Sequence, residues 1–190
     1  MNYAIYWIIM YYVSYVWNNS NDKSFQIQNV IGKSYHSLIY KVIDESINQV
    51  HSLNNAIYAM KVLFYPDKST KKSILLETLI TSLLCNGDNI IQLYYILEKN
   101  STYILIEEYV KNTNYHQLYP VFTSRDIKYY AYELLKGLVY THNMNVIHRD
   151  IRPDNIMIDH DHKILRIIDW GSATIYTEGY LFMDKYLISK

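Results

Sequence analysis

The rhythm of apolar and polar positions changes several times along this chain. "FQIQNVIGKSYHSLIYKVID" (residues 25–44) alternates apolar and polar side chains about a lone glycine at a turn, and "AIYAMKVLFY" follows as a second strand region. Residues 69–84, "STKKSILLETLITSLL", repeat their apolar positions at helical spacing, which predicts a helix. "TYILIEEYV" returns to strand. From Thr123 the helical period resumes, with Ile127, Ala131, Leu134 and Leu138 predicting one apolar face. "TSRD" ahead of them is a capping box with Thr123 as N-cap and Asp126 at N3, and Asn145 after them suits a left-handed exit. "IMID" and "ILRIID" about the polar turn "HDH" predict a β-hairpin. A mostly β first part with one helix, then a helix leading into a hairpin, predicts an α+β fold.

Composition narrows the partners. The 190 residues suffice for one large domain or two small ones, and a half-apolar chain with 19% charged residues is globular. Eighteen basic residues balance 18 acidic ones, so no net field favours nucleic acid or an anionic membrane. The 22 tyrosines come without the basic clusters of a nucleic-acid surface, so no nucleic-acid partner is expected. The single cysteine, Cys85 in "LLCN", excludes an internal disulfide framework and reads as a buried structural thiol. Residues 1–17, "MNYAIYWIIMYYVSYVW", carry no charge. They lack the basic start and small-residue cleavage site of a signal peptide, and five tyrosines with Asn2 and Ser14 interrupt a spanning helix. Packing against the following domain is therefore expected in place of a membrane role.

The hairpin supplies the first chemistry. Asn155 stands just before its first strand and Asp169 just after its second, so pairing the strands brings the two together. Asp150 lies on the loop five residues before Asn155. Asn155 and Asp169 are hard oxygen donors suited to magnesium, and Asp150 could accept a hydroxyl proton. The spacing His148-Arg149-Asp150, Asn155, then Asp169-Trp170-Gly171 resembles the catalytic and metal-binding arrangement of protein kinases. That arrangement needs a phosphate-binding lysine held by a helix carboxylate. Lys61 in "AMKVL" occupies a strand, and Glu77 is the lone charge between Lys72 and Asp88, flanked by Leu75, Leu76, Leu79 and Ile80. A buried unpaired carboxylate is costly, so pairing with Lys61 is expected. The phosphate-covering loop falls on Gly32-Lys33-Ser34-Tyr35-His36-Ser37-Leu38-Ile39 and keeps only its first glycine.

Residues 104–176 resemble a narrower family, the alpha (catalytic) subunit of casein kinase II. The marks are "NTNYHQLYP", "DIKYYAYELLKGL", "NIMIDHDHKILRIIDWG" and the tryptophan of Asp-Trp-Gly, with weaker likeness upstream through "VIGKSYHSLIYK", "AMKVL" and "CNGDNIIQL". The resemblance implies a protein-kinase-like fold: an N-terminal extension over 1–24, a β-rich N-lobe with one helix over 25–110, and an incomplete C-lobe over 111–190. It implies Asp150 as catalytic base, Asn155 and Asp169 as Mg2+ ligands, and Lys61 on the α- and β-phosphates, paired with Glu77. Ile31 and Ile39 would sandwich the purine, the backbone of Glu108 and Val110 would meet its edge, and Gly32, Lys33, Ser34 and Ser37 would line the phosphates. The implied cofactors are Mg2+ and ATP, with GTP as an alternative donor. The implied substrates are proteins bearing acidic serine or threonine sites, the implied partner is a casein kinase II beta regulatory subunit, and the implied location is intracellular, cytoplasmic or nuclear.

The chain departs from that pattern in places. Arg152 replaces the family's lysine beside the base, a wider fork aimed at the γ-phosphate. Glu107 replaces a bulky apolar residue just before Glu108. The substrate-reading lysines thin to Lys68, Lys71 and Lys72. Only 19 residues follow Gly171, so the family's remaining C-lobe helices have no counterpart in this chain. The expected function is a serine/threonine kinase, with a non-catalytic, nucleotide-binding pseudokinase as the alternative.

Overall fold

The computed structural model describes residues 25–34, 37–45, 56–64, 68–99 and 102–176. The expectations for residues 1–24, for the side chains of Lys68, Lys71 and Lys72, for Tyr35 and His36, and for 177–190 lie outside the described residues. The chain divides into two compact units, one ending at Ser82 and resuming over Gln92–Tyr109, the other formed by Leu83–Ile91 and the residues from Val110 onward.

The first unit is an antiparallel sheet of β1 (Phe25–Lys33), β2 (Ser37–Asp44), β3 (Ile57–Leu63), β4 (Leu93–Lys99) and β5 (Thr102–Glu108), in the order β1-β2-β3-β5-β4. Four of these strands match the alternation read from the sequence. The fourth, "LYYILEK", escaped that reading because its apolar run does not alternate, although its aromatic and aliphatic content suits a strand. Ile39, Lys61 and Leu105 are aligned across three strands, so their side chains share one face. The alternate residues Tyr40, Met60 and Ile106 share the other. Helix α1 (Lys68–Leu84) buries Ile74, Glu77, Ile80, Thr81 and Leu84, a stripe at helical spacing with a carboxylate inside it.

In the second unit, a single turn α2 (Tyr115–Leu118), capped by the Asn114 side chain, precedes α3 (Ser124–Asn143). The capping box forms as expected: the Thr123 hydroxyl accepts the Asp126 N–H at 3.2 Å, and the Asp126 carboxylate accepts the Thr123 N–H at 3.0 Å and its hydroxyl at 2.6 Å. Asn145 exits with φ 56°, also as expected. The buried face of α3 corrects the sequence reading. Ile127 and Ala131 are exposed and Leu134 and Leu138 half-buried, while Tyr130, Gly137 and Thr141 are the buried positions. On that face Gly137 lets the bare backbone approach Ile167 so closely that a Cβ there would stand 2.8 Å from its Cδ1. That close approach puts Gly137 on the buried face, with Tyr130 and Thr141 in line with it.

The hairpin of β7 (Ile156–Asp159) and β8 (Ile164–Ile167) forms as expected, and β6 (Val146–Ile147) pairs with β9 (Thr174–Ile175). Ile167, fully buried, bonds on its other side to 89–91: its N–H reaches the Asn89 carbonyl at 2.7 Å, and its carbonyl accepts the Ile91 N–H at 3.2 Å. Cys85 is buried and forms no disulfide, as read.

Two outcomes follow from this packing. A Cβ at Gly87 would stand 2.1 Å from the edge of the Tyr140 ring, so the ring must shift, and Gly87→Ala should cost about 1–3 kcal/mol in denaturant melts. The Asp126 carboxyl is held far below its ordinary value of 3.8, first by the Thr123 hydroxyl, then by the Thr123 N–H and the Lys163 ammonium. A depressed native value adds stability that is complete above the ordinary value and drains away as pH falls below it. Thr123→Ala removes the largest cause, so the gap in Tm between wild type and variant should be full above about pH 5 and shrink below about pH 4.

Candidate active site

One half of the predicted site lies in the first unit. Lys61 Nζ meets Glu77 Oε1 at 2.5 Å, with the two side chains only 10% and 11% exposed. The sheet dictates the lysine's direction and the stripe of α1 dictates the carboxylate's. Two buried charges are tolerable because each neutralises the other; removing one partner of such a pair typically costs about 3–5 kcal/mol. Ile39 is aligned with both Lys61 and Gly32, so these three residues share the lysine's face. A Cβ on Gly32 would stand 3.1 Å from Ile39 Cδ1, a fit that favours glycine there.

The described ends of the predicted phosphate loop bond to each other. The Ser34 N–H donates to the Ser37 carbonyl at 2.9 Å and the two hydroxyls meet at 2.8 Å. Ser34 thus closes the strand turn with groups that a glycine loop would aim at phosphate. Ile31 and Lys33 are exposed. The Glu108 N–H reaches the Gln92 carbonyl at 2.9 Å, and Glu107 shares the Lys61 face through its alignment with Ala59. Within the second unit, the Val110 carbonyl accepts the Asn112 N–H at 2.8 Å.

The other half lies in the second unit. Pro153, which fixes its own φ, opens a short 3-10 turn ending at the buried Asn155. The Asn155 amide donates to both the carbonyl and the carboxylate Oδ2 of Asp150, each at 2.9 Å. With the amide nitrogen so engaged, the side-chain oxygen is not used in these two bonds. Pairing of Ile156 with Ile167 continues into a bond from the Ile168 N–H to the Asn155 carbonyl at 3.0 Å, which sets Asp169 beside the loop as the hairpin argument expected. Asp169 itself has φ 63°, a left-handed bend. Arg152 pairs with Asp154 at 2.7 Å, with both side chains about half exposed. Such a pair is worth at most about 1 kcal/mol and is easily released to a ligand.

The residue the sequence reading undervalued is His148. Its ring is 1% exposed. Nε2 lies 2.9 Å from the Ile168 carbonyl, which can only accept, so Nε2 carries the proton. Nδ1 then accepts the Asp150 N–H at 3.2 Å. The imidazole therefore bridges the residue before Asp169 to the residue that would act as base. Trp170 packs against the same ring at 4.6 Å and is 1% exposed. Its indole N–H finds no hydrogen-bond partner among the described residues, a cost of about 1–3 kcal/mol. Arg149, with φ 65°, sends Nε to the Ser172 carbonyl at 2.6 Å.

Each unit thus holds part of the predicted set: the Lys61–Glu77 pair in the first, Asp150, Asn155 and Asp169 in the second. Comparison with known families agrees: a model of the protein kinase domain matches residues 25–189. The chain belongs to the protein kinase family. Its α+β architecture is the kinase fold, and the family uses ATP with a divalent metal, typically Mg2+. The donor set fits that metal. Among the described residues no cluster of three or more acidic, histidine or cysteine side chains exists, and magnesium needs none, since it commonly takes one or two protein oxygens and completes its shell with phosphate and water. Asn155 and Asp169 would hold it, and it would screen the charge of the phosphates.

His148→Phe keeps a ring against Trp170 but leaves the Asp150 N–H and the Ile168 carbonyl without a partner. The expected loss is on the order of 3 kcal/mol in denaturant melts, with kinase activity falling further than folded fraction alone explains.

Proposed function

We propose that the chain is a serine/threonine kinase of casein kinase II type, transferring the γ-phosphoryl of ATP to hydroxyls in acidic contexts. The observation that carries this reading is the Asp150–Asn155 contact, a proton acceptor and a metal-suited amide locked together at 2.9 Å. In this reading the substrate hydroxyl oxygen bonds to the γ-phosphorus as the bond to the ADP oxygen breaks, and the proton passes to Asp150. Lys61 holds the α- and β-phosphates and is itself held by Glu77. Arg152 leaves Asp154 to meet the γ-phosphate. Ile31 and Ile39 flank the base, and the backbone of Glu108 and Val110 meets its edge. The buried tryptophan of Asp-Trp-Gly and the motifs of residues 104–176 support the casein kinase II assignment. With it go acidic protein substrates, GTP as a second donor, a beta-type regulatory partner and an intracellular, cytoplasmic or nuclear setting. Among the described residues no helix is long and apolar enough to cross a membrane.

A second reading, nucleotide binding without transfer, is favoured by one observation: Ser34 spends its N–H and hydroxyl on Ser37. The two readings separate in one assay. Magnesium-dependent phosphorylation of an acidic serine peptide should occur and fall at least a thousandfold in Asp150→Ala. Absence of turnover, with ATP still raising Tm, would assign the second reading.

A further inference from the structure

The face of the five-stranded sheet turned away from Lys61 belongs to no part of the phosphotransfer machinery. The register aligns Val30, Tyr40, Met60, Ile106 and Tyr95 in one unbroken apolar row across all five strands. Rows on either side of it are also mostly apolar, so the whole face resembles half of a core. Its centre is closed: Val42 and Ile106 are 0% exposed and Met60 9%. Its β1 edge is open, with Ile27 at 55% and Val30 at 54%. Every described member of this cluster is a strand residue of the sheet itself, and a sheet face of this kind is stable when a second layer covers it.

We propose that residues 1–17 of the same chain dock on this face as that layer. The composition of the segment fits: Asn2 and Ser14 are its only side chains outside the apolar and aromatic set, and none is charged. Other stretches outside the described residues fit poorly, since 46–55 holds three aliphatic residues among polar ones and 177–190 carries charges of both signs. The tether fits as well. Asn18–Ser24 joins the segment to Phe25, whose ring meets Tyr58 edge-on at 6.1 Å and Tyr95 at 6.3 Å on this same face. Seven residues reach at most about 25 Å, and five strands are about 19 Å wide, so the attachment point lies on the rim of the surface and all of it is within reach. Attachment at that distance gives the segment a high effective concentration, so an untethered partner for this face competes at a disadvantage.

The test uses the full chain with cysteine pairs. Tyr6→Cys, Ile9→Cys and Tyr12→Cys are each combined with Val30→Cys on the face, and separately with Leu75→Cys on α1, a 44% exposed control on the helix that meets the opposite face through Glu77. Val30 and Leu75 lie outside the buried core, and the native Cys85 is buried. Mild oxidation at low protein concentration should give an intramolecular disulfide with Val30→Cys at least tenfold above its Leu75→Cys counterpart in one or more pairs. The double variant Ile27→Lys and Val30→Lys should raise tryptic cleavage after Lys23 several-fold. Three outcomes overturn the proposal. Equal trapping at both positions means no docking. Disulfides only between molecules assign the cover to a second copy. Loss of trapping on addition of phosphatidylcholine vesicles, with the chain bound to them, assigns the segment to lipid.

Discussion

The second unit depends on one side chain, the imidazole of His148. The proposed base and metal ligands must be fixed relative to one another, yet residues 148–152 have no regular secondary structure to fix them. His148 supplies the missing constraint by donating to the Ile168 carbonyl and accepting from the Asp150 N–H. The imidazole that makes both bonds is buried, so they hold direction as well as distance. The Asn155 amide repeats the device one layer further out, clasping both the main chain and the carboxylate of Asp150. With the Ile168–Asn155 backbone bond, these contacts close a ring through Asp150, His148, Ile168 and Asn155. Loss of one member loosens the other three.

The first unit solves a different problem, placing a cation where water is scarce. Lys61 sits in the central strand of the sheet, flanked by Ile39 and Leu105 in register. An ammonium there is stable only with a counter-charge, and α1 provides it from within its own buried stripe. The helix is thereby fixed in rotation by an ion pair as well as by apolar packing. This division of labour explains why Glu77 is tolerated among leucines and why its replacement would be felt by the helix and the lysine together.

Much of this was legible in the sequence because it follows from local periodicity. The strand alternation, the capping box at Thr123 and the hairpin all rest on neighbours a few residues apart. The meeting of Asn155 with the end of β8 was legible for a geometric reason, since a hairpin must return its ends to each other. The Lys61–Glu77 pair was legible by its cost, since a lone carboxylate in an apolar stripe demands a partner. What stayed hidden depends on long-range contact. The face of α3 was misread because Gly137, with no side chain to score, makes the closest approach to Ile167. The bridging role of His148 was hidden because its partner Ile168 is twenty residues away and offers only a carbonyl. The contact of Ser34 with Ser37 depends on the hydroxyl of Ser37, which no glycine pattern anticipates.

Backbone strain shows how tightly the second unit is specified. Asn89, Asn145, Arg149, Lys163 and Asp169 all adopt positive φ, a region that glycine enters freely and other residues enter at a cost of about 1 kcal/mol or more. Asparagine bears that cost most easily, and Asn89 gains two hydrogen bonds to Glu133 in return. Arg149 and Asp169 have less excuse. Glycine at either position would relax the chain, but it would remove the guanidinium that holds Ser172 and the carboxylate suited to the metal. The two strained residues flank the His148 bridge, one directly after the histidine and one directly after its acceptor. The bridge and the strain are therefore coupled: the hydrogen bonds of His148 help hold both neighbours in strained conformations, which place one side chain on the Ser172 carbonyl and give the other, Asp169, to the proposed chemistry.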